Sequence, residues 1–393
     1  MVHRLFVVCN ALDDHTRLSR GIATDSPAAS RKVFGMCRAV RLAGIRPIVL
    51  SLGRGRPDGS GRFFRTSVRR IDGVPVIYAA FSHRALLSQL VSLLSPAILL
   101  WRARRLAGDK VIVFYNRMPA YVPALVLASL LHLRTVLDLE DGEVHGQIRS
   151  LSGAATRLVR GLFDRLCSGG ALLACRALAA MTTVRPVACY YGTVEPEDAP
   201  GRWPAAGPTV LMCGTVSADT GAGLLIDAIE ILRSQRPSWA EGLNFQVTGK
   251  GDSIETLQKL AKHPGWPSVT VHGRTTDAQY REIVASAQVG LALKPRTGPL
   301  AHTTFPSKVI ELAGAGLLLL STDISDVRSI FASAAVYLED ESAAGLVECL
   351  QWIAENQEAA HAISSRGMQT VHERFDPLLA GGSLARFLFS ANP

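Results

Sequence analysis

His302–Gly316, HTTFPSKVIELAGAG, runs straight into the apolar stretch Leu317–Leu320. Thr303, Thr304, Phe305 and Pro306 turn the backbone into a helix, because proline is tolerated in a first turn where its missing N–H has no intrahelical partner to lose. Val309, Leu312 and Ala313 then fall at helical spacing, which predicts a helix over Pro306–Ala315. The small residues Ala313–Gly316 allow close packing, and Leu317–Leu320 reads as a parallel strand buried on both faces. A helix that starts at such a joint gathers unpaired N–H groups and a partial positive charge, an environment suited to a diphosphate. Glu311 offers a carboxylate able to accept hydrogen bonds from a ribose. The same residues also fit an ordinary βαβ helix carrying one exposed glutamate.

The alternation extends in both directions. Strands are expected over Thr209–Cys213, Asn244–Thr248, Ser268–His272, Val289–Leu293 and Ala335–Leu338, with helices over Gly221–Arg233, Ser253–Lys262 and Asp277–Ala285 between them. Alternation of this kind implies a parallel sheet that binds ligands at the carboxyl ends of its strands. Those ends carry Cys213-Gly214-Thr215, Thr248-Gly249-Lys250-Gly251-Asp252, Val271-His272-Gly273-Arg274, and Lys294-Pro295-Arg296.

These motifs, in this order and at this spacing, resemble glycosyltransferase family 4, the match covering residues 205–375 well and the N-terminal half loosely. The resemblance implies an α/β chain of the GT-B fold, two Rossmann-like domains facing each other across a cleft. It implies a retaining, metal-independent transfer of a sugar from a nucleotide diphosphate sugar to a lipid-linked or glycan acceptor, with no cofactor. Its donor site would use Gly214, Thr215, Lys250, Arg274, Lys294, Arg296, Thr303, Thr304, Phe305, Lys308 and Glu311. Glu311 would hold the ribose, and Lys294, Arg296, Lys308 and the helix start would neutralise the leaving phosphates. Three positions depart from the family pattern. Thr303 stands eight residues before Glu311 where an acid is usual, and Thr215 and Thr220 stand where an Arg and a Lys usually meet the diphosphate. Lys294, Arg296 or Lys308 is expected to substitute. The alternative function is a non-catalytic GT-B protein docking on a membrane or a polysaccharide-assembly partner.

The N-terminal half begins as βαβ: an apolar strand Leu5–Asn10, a polar loop Ala11–Ser26, a helix Pro27–Ala43 and a second strand Pro47–Leu52. Its helix puts Val33, Met36, Cys37 and Val40 on one face and Arg31, Arg38 and Arg41 on another. Gly53–Arg70 reads as a loop, Gly170–Ala180 as a helix, and Glu195–Gly207 as a linker. The domains are accordingly expected at 1–195, an acceptor-binding domain, and 196–376, a nucleotide-sugar domain, with 377–393 a helix returning to the first. The strand Thr135–Leu139 runs into Glu140-Asp141-Gly142-Glu143-Val144-His145. Glu140 or Asp141 would orient or deprotonate the acceptor hydroxyl. Two other readings stay open: helix capping, and a D-x-D-like metal site from Asp138 and Glu140.

The chain of 393 residues suffices for two full cores, and 48% hydrophobic against 19% charged residues marks it as globular. Seven scattered cysteines without a C-x-x-C pair argue against a disulfide framework and fit a reducing cytoplasm. Met1–Leu12 has a short apolar run and no cleavage pattern, so it reads as a strand and not a signal peptide. The net charge of +9 sits in residues 1–80, where fourteen Lys/Arg oppose five Asp/Glu. A basic half implies a polyanionic partner. No nucleic-acid module is recognisable, so an anionic membrane surface is the expected one, with the protein peripheral on its cytoplasmic side. Leu86–Trp101, followed by Arg102, Arg104 and Arg105, is shorter than a span needs. It reads either as an interface-lying helix or as a core helix. No P-loop, H-E-x-x-H or G-x-S-x-G motif occurs.

Overall fold

A computed structural model describes residues 2–142, 151–195, 203, 207–263, 265–298 and 300–389. Glu143, Val144 and His145 of the acidic cluster, and most of the expected linker, lie outside the described residues. The chain divides into two compact units, Met1–Thr193 with Pro377–Pro393, and Val194–Asp376.

In the first unit the strands are β1 His3–Cys9, β2 Arg46–Ser51, β3 Phe63–Phe64, β4 Ser67–Ile71, β5 Val74–Tyr78, β6 Phe81–Ser82, β7 Asp109–Tyr115, β8 Arg134–Leu139, β9 Ala171–Leu173 and β10 Val187–Cys189. The helices are α1 Asp14–Ser19, α2 Pro27–Leu42, α3 Ala85–Ala103, α4 Val122–Leu130 and α5 Leu151–Leu166. An eight-stranded sheet forms in the order β10-β9-β8-β7-β1-β2-β5-β4. Its pairs are parallel except β4 with β5. Strand order reverses between β1 and β7, which makes their carboxyl ends the switch-point crevice of this unit. Ser26 caps α2 by accepting a hydrogen bond from Ala29 N–H, and Pro27 takes the first helical position.

Three local expectations are corrected. Gly53–Arg70 is not all loop: Ser67–Ile71 pairs antiparallel with Val74–Tyr78 through Asp72-Gly73, both at positive φ as a two-residue hairpin turn requires. Gly170–Ala180 is not a helix. Ala171–Leu173 is a strand buried between β8 and β10, and a 3₁₀ turn at Arg176–Met181 follows. Its residues suit a helix, but pairing on both edges outweighs a propensity of a few tenths of a kcal/mol per residue. Within Ala11–Ser26, Asp13 accepts from Thr16 N–H at 2.8 Å and opens α1.

The second unit holds β11 Thr209–Thr215, β12 Asn244–Lys250, β13 Ser268–Gly273, β14 Val289–Ala292, β15 Leu318–Ser321 and β16 Val336–Tyr337. Its helices are α6 Ala222–Gln235, α7 Ile254–Lys262, α8 Asp277–Ser286, α9 Lys308–Gly314, α10 Val327–Phe331, α11 Ala343–Glu355 and α12 Gln357–Phe375. The sheet is fully parallel in the order β13-β12-β11-β14-β15-β16. Successive strand residues point to opposite faces. Val210 and Met212 accordingly pack with Phe245, Leu225, Ile229 and Leu350, while Leu211 and Cys213 pack with Ile283, Leu312 and Leu317. Each such side chain contributes about 1.5–3 kcal/mol on full burial. The last helix, α13 Pro377–Phe389, belongs to the first unit. Gly381 brings its backbone against the Ala39 carbonyl of α2, and Leu384 and Leu388 join the first unit's core.

Candidate active site

Two clusters of chemically able side chains stand at the carboxyl edges of the two sheets, one in each unit.

In the second unit the switch point lies between β11 and β14, so a ligand crevice is expected where Gly214 and Thr215 end one strand and Leu293-Lys294 follow the other. The backbone there is drawn tight by glycine. Gly214, Gly221 and Gly249 all have positive φ. A Cβ on Gly249 would run into the Gly214 carbonyl, and one on Gly221 into the Leu293 carbonyl. Gly214 also leaves the space in which the Lys308 side chain lies. The Lys308 ammonium thereby reaches the end of β11, 3.4 Å from Cys213 Sγ and 5.8 Å from the centre of the Tyr280 ring. It has no carboxylate partner among the described residues.

Glu311 stands three residues on from Lys308 in α9, half-buried, so the two share one helical face. Thr215 and Lys250 are register partners at the ends of β11 and β12, and both are exposed. Lys294 donates to the Leu300 carbonyl at 3.3 Å. These residues come together at adjacent strand ends. Arg274 does not: it follows the edge strand β13, two strands from the switch point.

Two details differ from expectation. The helix begins at Lys308, not Pro306, with Ser307 at its N-cap. Thr303, Thr304 and the buried Phe305 therefore form the approach to the helix and not its first turn. Arg296 is engaged elsewhere: its Nε lies 2.8 Å from a Glu341 oxygen, and its Nη2 donates to the Glu339 carbonyl at 2.7 Å. Its backbone N–H also donates to Glu341. Of the cations expected at the phosphates, Arg296 is held by a carboxylate, while Lys308 has no carboxylate partner among the described residues.

Thr220 has a task of its own. Its hydroxyl donates to the Thr215 carbonyl at 2.8 Å and accepts from the Ser217 N–H at 3.0 Å, closing a capping box ahead of α6. This threonine thus holds the shape of the glycine loop.

In the first unit the acidic stretch after β8 meets a residue that sequence reading passed over. Lys32 of α2 is buried, its side chain 7% exposed, between Glu140 and Asp138. It forms a close ion pair with Glu140, lies 3.7 Å from Asp138 Oδ1, and rests over the Tyr190 ring at 5.3 Å. Asp138 is fully buried, and neither of its carboxylate oxygens has a hydrogen-bond partner among the described residues. Burial pushes the Asp138 carboxyl well above the carboxylate range; the negative Glu140 adds to this, and the attraction of Lys32 does not offset it. The Lys32 ammonium is held above its ordinary value: burial disfavours the cation, but the neighbouring Asp138, Glu140 and Asp141 favour it more strongly. The geometry is a Lys32–Glu140 ion pair beside an Asp138 carboxyl whose ionisation burial disfavours.

The Tyr115 phenol, at the end of β7, is pushed up by burial and by the Glu140 charge. The Cys9 thiol, at the end of β1, is pushed up to about 12 by burial. The cluster therefore sits at this unit's own switch point. Lys32 stands between Asp138 and Glu140, where the metal alternative would put an ion, and the residues that the capping alternative needs lie outside the described ones. Lys32 was detectable in the sequence: it falls in the apolar stripe with Val33, Met36 and Val40, where a lone cation needs a buried partner.

Comparison with known proteins adds the fold. The crystal structure of HepE from Anabaena with UDP and glucose superposes with a TM-score of 0.69 at 14% identity, covering 99% of this chain and 100% of that one. Sucrose-phosphate synthase from Thermosynechococcus elongatus gives 0.70 at 14% identity, again over 99% and 100%. The α,α-trehalose-6-phosphate synthase of Burkholderia multivorans gives 0.69 at 11% identity, over 99% and 97%.

The chain has the GT-B fold.

Within this GT-B chain, residues 228–377 match the family model described as glycosyl transferase-like, which spans most of the unit bearing Lys308 and Glu311. No curated protein sequence matches the chain.

Proposed function

We propose that this GT-B chain is a glycosyltransferase of the family 4 type, which takes a hexose from a nucleotide diphosphate sugar and passes it, with retention, to a lipid-linked or glycan acceptor. The observation that carries the reading is the Lys308 ammonium laid across Gly214 at the switch point without a carboxylate partner among the described residues. A half-buried cation without a carboxylate partner among the described residues, set at a sheet crevice, is stabilised by an anion, and a leaving diphosphate supplies one. Lys308 takes over the charge that Thr215 and Thr220 lack. Lys294 and the tight glycine backbone add donors, and Glu311 holds the ribose. Glu140, ion-paired with Lys32, serves the acceptor hydroxyl, with Asp141 beside it. The family model over residues 228–377 and the UDP bound to HepE support a uridine nucleotide as the first donor to try. The setting we propose is cell-surface polysaccharide synthesis at the cytoplasmic face of the membrane, with the basic first 80 residues favouring that surface.

The test is a thermal-shift screen against UDP, GDP, ADP, CMP and TDP, with Lys308→Met and Glu311→Ala as controls. A nucleotide at about 100 times its dissociation constant stabilises by about 2.7 kcal/mol. A rise in melting temperature with one nucleotide, lost in both variants, supports the donor site. No rise with any nucleotide overturns it and favours the second reading, a non-catalytic GT-B protein, for which Thr215 and Thr220 already argue.

A further inference from the structure

Helix α3, Ala85–Ala103, is amphipathic in the wrong sense for a soluble protein. Its buried side carries Ser88, Ser92, Pro96, Leu99, Leu100 and Ala103. Its exposed side carries Leu86, Leu90, Leu94, Ile98 and Trp101, spaced three or four residues apart so that they form one stripe, with Leu87 and Leu93 alongside. Leu86 is 79% exposed, Leu90 59% and Leu94 53%. A core-facing helix would bury the leucines and expose the serines; here Ser88 and Ser92 are inside. Contiguous apolar surface of this kind marks an interaction site.

The charges around the stripe identify the occupant. No Asp or Glu occurs between Gly73 and Gly108, while Arg84 stands at the helix start and Arg102, Arg104 and Arg105 at its end. Arg84, Arg102 and Arg105 are exposed and have no carboxylate partner among the described residues. Arg104 stacks its guanidinium on the Trp101 ring, which places an aromatic and a cation together at one end of the stripe. An apolar stripe flanked at both ends by unpaired arginines matches a phospholipid headgroup boundary, with leucines entering the acyl region and guanidinium groups meeting phosphates. A second protein would need acidic groups placed opposite both ends, and a second copy of this face would bring arginines against arginines.

We infer that α3 is an interfacial anchor that lies in the plane of an anionic bilayer, with Leu86, Leu90, Leu94, Ile98 and Trp101 inserted and Arg84, Arg102 and Arg105 on the headgroups. It does not span: its inner side stays packed on α4 and the first unit's sheet. The inference stands independently of the transferase reading, since it uses no donor-site or acceptor-site residue.

The test is co-sedimentation of the full-length protein with vesicles of phosphatidylglycerol and phosphatidylcholine at 3:7, and with phosphatidylcholine alone. The variants are Leu90→Asp with Leu94→Asp, and Arg102→Glu with Arg105→Glu; all four positions are exposed, so unchanged melting curves are expected and are checked. Binding to the anionic vesicles is expected, with a blue shift of tryptophan fluorescence. It should weaken about tenfold or more in the leucine variant, because aspartate partitions poorly into the acyl boundary. The arginine variant, or high salt, should remove the preference for anionic lipid. Three outcomes overturn the inference: no binding of wild type to anionic vesicles, equal binding by the leucine variant, or a dimer in solution that the leucine variant dissociates. The last would make a second copy the occupant.

Discussion

Replacing Lys32 by Met would remove the charge at the centre of the first unit and keep most of the methylene stem. Three groups are then changed at once. Glu140 loses its ion-pair partner, Asp138 loses the cation 3.7 Å away, and the Tyr190 ring loses the ammonium over it. Lys32 is 7% exposed, Glu140 14% and Asp138 0%, so water reaches too little of the cluster to screen what remains. Breaking a buried pair by removing one partner costs about 3–5 kcal/mol, because the other charge stays buried. At about 2–4 °C per kcal/mol for a unit of this size, the melting temperature should fall by about 6–20 °C at pH 7.5. The double variant Lys32→Met with Glu140→Gln separates this cause from simple loss of packing: it should recover more than half of the deficit, a coupling that independent sites would lack. A fall of under about 2 °C, or no recovery in the double variant, would refute the assigned ion pair.

Asp138→Asn tests the neutral carboxyl directly. A carboxyl held above its unfolded value of about 3.9 contributes stability that is complete below that pH and is lost as pH climbs towards the folded value. The variant should therefore gain on wild type progressively from about pH 4 upward in urea midpoints, and a difference that is constant with pH would contradict the assignment. Gly249→Ala should cost more than about 2 kcal/mol, because φ is +138° and the new methyl meets the Gly214 carbonyl; the same variant should lose nucleotide-induced stabilisation. Thr220→Ala should cost about 1 kcal/mol by opening the capping box, and Thr220→Ser should restore most of it.

How far residues alone lead differs between the halves. In the second unit the central strands β14 and β15 are buried on both faces, so Leu317–Leu320 and Val289–Leu293 stand out as apolar runs and the alternation is plain. In the first, Ala171–Leu173 has three residues of ordinary helical character, and only its neighbours on both edges make it a strand. The hairpin turn Asp72-Gly73 had a local signal, obscured by the arginines around it. Which side of α3 faces inward was not legible, because leucine content is the same for an anchor and a core helix; the placement of Ser88 and Ser92 decides it. Lys32 and Thr220 illustrate the general difficulty. Each side chain's role depends on a partner distant in sequence or on a backbone turn, and neither is written in the residue type.

The position of α13 has a consequence for how the protein is made. Leu384 and Leu388 complete the core built on β1, β2 and β7, yet the ribosome delivers them only after every residue of the second unit. The second unit is continuous and can close as it emerges, whereas the first must wait with its apolar sheet incomplete until the last helix is released. Until then the α2 surface at Ala39, which accepts Gly381, is uncovered. Nascent chains halted shortly before Pro377 should therefore carry a folded second unit beside a first unit that binds chaperones and yields to protease, and extension through Phe389 should abolish both.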